Sequence, residues 1–152
     1  MNIRSILLPT DFSQCADLAL PYAASLARQM KARLVCLHVV ETVMPAVGYA
    51  AVAEPLPPVD MGGQLEESAT RELPKLGARA ECAGLDVEEV LVHGEAAGEI
   101  VRVARERDID LIIISSHGRT GWGRILFGST AESVVRHAHC PVLVVKPKGS
   151  DE

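Results

Sequence analysis

Residues 108–116 read DIDLIIISS, and the fold is decided there. Leu111 to Ile114 are four apolar residues in a row between polar ends. Four other stretches are of the same kind. NIRSILLP (2–9) holds the compact run Ile6-Leu7-Leu8 and closes on a proline. ARLVCLHVV (32–40) is β-branched and apolar on both faces, DVEEVLVHG (86–94) alternates more, and CPVLVVKP (140–147) is the last. Five short strands, several apolar on both faces, predict a parallel sheet covered on both sides.

Helical patterns separate the strands. SQCADLALPYAASLARQMK (13–31) spaces its apolar residues by three and four, with Ser13 as N-cap. Pro21 falls inside it, as a kink or near a first turn. GQLEESATRELPKLGARAECAGL (63–85) is more polar, and Pro74 interrupts it. EAAGEIVRVARERD (95–108) keeps Ile100, Val101, Val103 and Ala104 to one side. GSTAESVVRHAH (128–139) sets Ser129 three residues before Glu132, the spacing of a capping box. The order β-α-β-α-β-α-β-α-β specifies an open α/β sheet with right-handed crossovers. Ligands bind such sheets beyond the carboxyl ends of the strands, where strand order reverses. The 152 residues are read as one domain, 1–148, with a short polar tail at 149–152. Glu41–Gly63, rich in proline and apolar residues, is a long connection, either an excursion or a lid or dimer flap.

Composition narrows the function. Nearly half the residues are apolar, 48%, and 23% are charged, the profile of a soluble globular protein. The net charge of −5 gives no ground to expect a nucleic-acid or anionic-membrane partner. No apolar run approaches the roughly 20 residues that cross a bilayer. The start, MNIRSILLPTDFS, has too short an apolar segment for a signal peptide, so a cytoplasmic protein is expected. Cys15, Cys36, Cys82 and Cys140 form no C-x-x-C pair and are read as buried thiols.

The strand at 108–116 runs into SSHGRTGWGRILFGSTAE (115–132), which ends at a helix start. Amides at a helix N-terminus lack intrahelical partners and carry partial positive charge. Gly128 allows close approach to them, and Ser129 adds a hydroxyl. Gly118 can take a positive φ, and Arg119 and Arg124 can supply charge-assisted bonds. Together these make a phosphate cradle, although turn glycines and capping serines are also ordinary features. The Walker pattern is absent, since Phe127, Gly128 and Ser129 stand where Gly-Lys-Ser is needed. After the first strand, LPTDFSQ is no dinucleotide fingerprint, but Asp11 could accept from ribose hydroxyls or help hold a metal. An Asx turn or N-cap is its structural alternative.

Other residues are weighed against plain roles. His117 could meet phosphates; as a general base it would need a nucleophile within reach. His38 and His93 are read as structural. His137, His139 and Cys140 suggest zinc, but positions i and i+2 do not share a helix face. A cationic histidine at a helix C-terminus is the preferred reading there. Trp122, the sole tryptophan, closes over a ligand, marks a partner surface or packs on the edge, the last being favoured.

The chain resembles the universal stress proteins, in their nucleotide-binding branch. The resemblance rests on ILLPTDFS, LHVV, GEAAGEI and everything from Ser115 to Val145. The branch pattern G-x2-G-x9-G-[ST] is met by Gly118, nine residues, Gly128 and Ser129, while Ser115 replaces the first glycine. The likeness implies a five-stranded Rossmann-like sheet of the adenine nucleotide alpha hydrolase-like kind, and a homodimer joined through the last strand. It implies ATP as ligand, with Mg²⁺ or Mn²⁺ through the phosphates. Pro9, Thr10, Asp11 and Val39 would line adenine and ribose, with Ile114 and Ser115 beside the ribose. Gly118, Gly128, Ser129, Thr130 and Ala131 would bind phosphates, with Arg119 nearby. The function so implied is an ATP-binding, stress-response regulatory protein whose nucleotide state alters its conformation. Alternatives are a slow ATPase or phosphotransferase, and a nucleotide-free interaction scaffold. Serine at 115 is expected to weaken nucleotide binding modestly, and more if the site needs positive φ there.

Overall fold

The computed structural model describes residues 2–41, 61–117 and 128–147. In chain order these form β1 (Ser5–Pro9), α1 (Gln14–Asp17), α2 (Leu20–Met30), β2 (Arg33–Val40) and α3 (Met61–Gly77). A 3₁₀ turn (Ala80–Cys82), β3 (Val87–His93), α4 (Ala96–Glu106), β4 (Leu111–Ser115), α5 (Ser129–His137) and β5 (Val142–Val145) follow. The five strands are parallel, in the order β3-β2-β1-β4-β5. This is the open, doubly covered sheet that the apolar runs predict.

Alternation along the strands divides the core into two layers. Ile6 and Leu8, Leu34 and Cys36, and Ile113 pack against Leu20, Ala23, Ala27 and Leu73 of α2 and α3. Leu7, Val35, Leu37, Ile112 and Ile114 pack on the other face against Ile100, Val103 and Val134 of α4 and α5. The apolar area removed from water on both faces is the main stabilising term, at about 25 cal/mol per Å². Among the described residues no helix is long and apolar enough to cross a membrane.

The helix boundaries refine the sequence reading. The segment after β1 is two helices, with the break at Leu18–Ala19. Ser13 caps α1 through its hydroxyl, which accepts from Ala16 N. Pro21 sits in the first turn of α2, where its missing N–H costs nothing. The helix expected from Gly63 begins at Met61 and carries Pro74 within its last turn, one residue type that removes a single helical bond there. Of the preceding long connection, residues 42–60 lie outside the described residues.

Cys15, Cys36 and Cys82 are buried and Cys140 is half-buried, all as free thiols. Burial pushes the Cys36 thiol up to about 12, helped by Cys82 and Glu89 nearby.

At the amino end of the sheet, Asp110 clamps β1 to β4. Its Oδ2 accepts from Arg4 N at 2.8 Å and from Ser5 N at 3.0 Å. Ser5 Oγ lies 3.1 Å from the same oxygen and 2.8 Å from Asp108 O. These donors, the Arg4 amide foremost, hold the Asp110 carboxyl below the usual carboxylate range. A lowered folded-state pKa contributes stability above the unfolded value, and that contribution is lost as pH falls through the folded value. Asp110→Ala is therefore expected to cost roughly 2 kcal/mol at neutral pH in denaturant unfolding. The gap from wild type should begin to close below about pH 4, the ordinary aspartate value. A gap that stays constant to pH 2 would show that the carboxylate charge contributes nothing.

Candidate functional site

The β1 backbone determines where the sheet opens. In a parallel strand, successive residues bond to opposite neighbours. Thr10 N donates to Leu37 O of β2, whereas Ser5 O accepts from Asp110 N on the β4 side. Even-numbered residues thus face β2 and odd-numbered ones face β4. Pro9 is odd, and proline has no N–H to offer β4. The β1–β2 register runs the full length, from Ser5↔Arg33 to Pro9↔Leu37. The β1–β4 register covers Ile6↔Leu111 and Leu7↔Ile112. Ser116 N, on the β5 side of β4 like Ile112 N, donates to Val145 O. The β1–β4 register ends there, at the point where strand order reverses.

A cleft of about 390 Å³ occupies this opening. Of the residues singled out from sequence, Pro9, Thr10, Asp11, Val39, Ile114, Ser115, Gly128, Ser129, Thr130 and Ala131 all line it. Gly118 and Arg119 lie outside the described residues, as do Trp122 and Arg124. The cleft also takes in residues that the sequence reading did not assign to it. Leu65, Ser68 and Ala69 of α3, Ala96 and Ile100 of α4, and Phe12, His38 and Ser116 belong to its wall. The α3 residues could not be placed from sequence, because a polar helix gives no sign of which strand end it leans over. His93 Nε2 lies 3.2 Å from Glu66 Oε2, tying α3 to the end of β3.

Asp11 makes the Asx turn that its local sequence permits, accepting from Ser13 N at 3.0 Å through Oδ1.

Three helix starts show three treatments of the unpaired amides. At α1 the Ser13 hydroxyl supplies the cap. At α4 the Glu95 carboxylate accepts from Ala97 N at 3.0 Å and from Gly98 N at 2.6 Å. At α5 the N-cap is Gly128, with no side-chain bond. Ser129 is thus the first helical residue rather than the cap, and the capping box with Glu132 does not form. Glu132 pairs instead with Arg136, 2.8 Å away. The reason is a close approach. Gly128 N donates to Ser116 O at 2.7 Å, and a Cβ at position 128 would stand 3.3 Å from that oxygen. The chain enters the helix at this glycine, and Gly128 to Ala131 line the cleft.

Ser115, the departure from the glycine pattern, ends β4 in strand geometry. Among the described residues, the non-glycine positions with positive φ are Phe12, Lys31 and Asp108. Position 115 therefore needs no glycine for its backbone angle. Its hydroxyl donates to His117 O at 2.8 Å, and Ser116 Oγ lies 3.0 Å from His117 Nδ1. His117 is at the cleft, fastened to this serine pair. In RHAHC, His137 Nδ1 lies 2.8 Å from Ser133 O in the last turn of α5. Among the described residues no three His, Cys, Asp or Glu side chains gather to hold a metal.

An open parallel sheet covered on both faces, with a cleft at its switch point, defines the chain as an α/β protein of the Rossmann-like class. Residues 2–146 match the model of the Universal stress protein family. The chain is 36% identical over 144 residues to Universal stress protein MJ0531 of Methanocaldococcus jannaschii, covering 94% of this chain and 82% of that one. To Universal stress protein MJ0577 of the same organism it is 31% identical over 157 residues, covering 97% of each. The solved structure of hypothetical protein MJ0577 superposes with a TM-score of 0.81 at 28% identity, over 99% of this chain and 100% of that one. The universal stress protein from Archaeoglobus fulgidus, solved in complex with dAMP, superposes with a TM-score of 0.67 at 26% identity, over 96% and 100%. This chain belongs to the universal stress protein family.

Ser115→Gly should lose the hydroxyl bond to His117 O and add backbone freedom at the strand end. A cost of roughly 1–2 kcal/mol is expected in urea unfolding. An unchanged midpoint would mean that the hydroxyl contributes no net stability.

Proposed function

We propose that this protein binds an adenine nucleotide, ATP, in the cleft between β1 and β4, and works as a homodimer whose nucleotide state alters its conformation. The observation that carries this reading is the meeting, in one cleft, of the Asp11 carboxylate and the uncapped start of α5. Amides left open at a helix start attract phosphate oxygens, and Ser129 and Thr130 add hydroxyls beside them. Asp11, at the end of β1, suits the hydroxyls of a ribose. Val39, Ile114, Leu65 and Ala69 offer the apolar surface that an adenine ring needs. The cleft volume of about 390 Å³ lies within the roughly 300–1,000 Å³ of small-molecule sites. The Archaeoglobus fulgidus relative in complex with dAMP supports an adenine nucleotide as the ligand class. A divalent cation, Mg²⁺ or Mn²⁺, would arrive on the phosphates. The role is one of binding: a nucleotide shifts the protein between states only by binding one of them better.

The dimer is proposed through β5. Among the described residues this edge strand pairs on one side only, with β4, and Leu143 and, on α5, Val135 are exposed at 37% and 48%.

Calorimetric titration with ATP and Mg²⁺ tests the binding claim. Wild type should give saturable heat. Gly128→Asp, which places a carboxylate over the α5 amides, should bind at least about tenfold more weakly. No heat from wild type at millimolar ATP rejects the proposal. For the dimer, Leu143→Lys should shift sedimentation toward the monomer, and a monomeric wild type would reject that part alone.

A further inference from the structure

The turn that carries Asp11 is held in a conformation that few residues adopt. Phe12 has φ 61, in the left-handed region where a bulky side chain is unfavourable. Several contacts keep it there. Phe12 N donates to Thr10 Oγ1 at 3.0 Å. Thr10 is itself gripped by β2 at both backbone groups. Its N–H donates to Leu37 O at 2.8 Å, and its carbonyl lies 2.8 Å from His38 Nδ1. A carbonyl oxygen only accepts, so Nδ1 carries the hydrogen, which fixes the orientation of the imidazole. The same ring stacks on Phe12, with centroids 4.5 Å apart and planes inclined by 27°. His38 is 8% exposed, so water competes little for either contact.

One buried side chain on β2 thus holds the residue before Asp11 by a hydrogen bond and the residue after it by ring stacking. A histidine that merely filled the core would need neither a fixed tautomer nor a partner in a left-handed turn. We propose that His38 is a positioning residue for Asp11, bracketing the turn so that the carboxylate is aimed at the sugar hydroxyls of the bound nucleotide. The inference rests on the nucleotide reading of the cleft, and deepens it by assigning ribose recognition to a residue outside the Asp11 motif.

The test compares ATP with 2′,3′-dideoxy-ATP, which lacks both sugar hydroxyls, by calorimetry on the full chain. His38→Leu should weaken ATP binding about tenfold, the size of one lost hydrogen bond, and leave the dideoxy nucleotide nearly unchanged. His38→Asn should recover most of the loss, because its amide N–H can donate to Thr10 O. Phe12→Leu removes the stack but not the hydrogen bond, and should give a smaller loss confined to ATP. On an Asp11→Ala background, His38→Leu should cause no further loss. Equal losses for the two nucleotides, or additive losses in the double variant, would overturn the proposal. If wild type binds neither nucleotide, the reading of the cleft fails, and amide NMR still decides the grip of His38. The signals of residues 11–13 should then move or broaden in His38→Leu and return in His38→Asn. Unchanged signals in His38→Leu overturn it. Should His38→Leu not fold, Phe12→Leu and His38→Asn carry the same comparisons.

Discussion

The carboxyl edge of this sheet is shaped by a shortage of hydrogen-bond donors in its central strand. β1 must serve β2 with every second residue and β4 with the others. Pro9 stands on the β4 side at the last position and has nothing to give. Pairing with β2 continues through Thr10, and pairing with β4 does not. An open sheet always has a point where its strand order reverses. Here Pro9 stands at that point and lines the cleft that lies there.

What fills such a space depends on electrostatics at the helix ends around it. Glu95 occupies the α4 start with its own carboxylate, and Gly94, at φ 145, supports this arrangement. A Cβ on Gly94 would lie 2.8 Å from the Glu99 side chain. Among the described residues no side chain caps the α5 start, and the approach of Gly128 to Ser116 O leaves no room for one at position 128 without displacement. One helix end is neutralised by its own carboxylate, and the other carries no such group among the described residues.

The strands were legible because a parallel sheet buries both faces, so LIII at 111–114 or LVCLHVV at 34–40 has no polar alternation to confuse it. Ser13 was legible as a cap because the bond it makes is local. The capping-box spacing sets the helix start at Ser129, where α5 begins, but the cap falls one residue earlier, because the contact of Gly128 with Ser116 O joins positions twelve apart in sequence and is set by the tertiary fold. Asp11, Ser129 and Thr130 could be picked out because they sit at ends of elements whose order the alternation defines. The wall contributed by α3 could not, since nothing in GQLEESATREL states which strand it crosses. His38 was read as structural, which its burial supports. Its hold on both neighbours of Asp11 needs the left-handed Phe12, and a phenylalanine gives no hint of that in a sequence.

The cysteines of this protein have a consequence for how its opening can be followed. The thiolate, not the thiol, attacks disulfides and peroxides. Cys36, on β2 with its thiol pushed up to about 12, and Cys15 and Cys82 in the surrounding layers are buried away from such reagents while the chain is folded. Each becomes reactive only when its own part of the fold comes apart. The molecule therefore carries internal clocks. Cys15 times excursions of α1 beside the cleft, Cys82 those of the turn after α3, and Cys36 dissolution of the sheet itself.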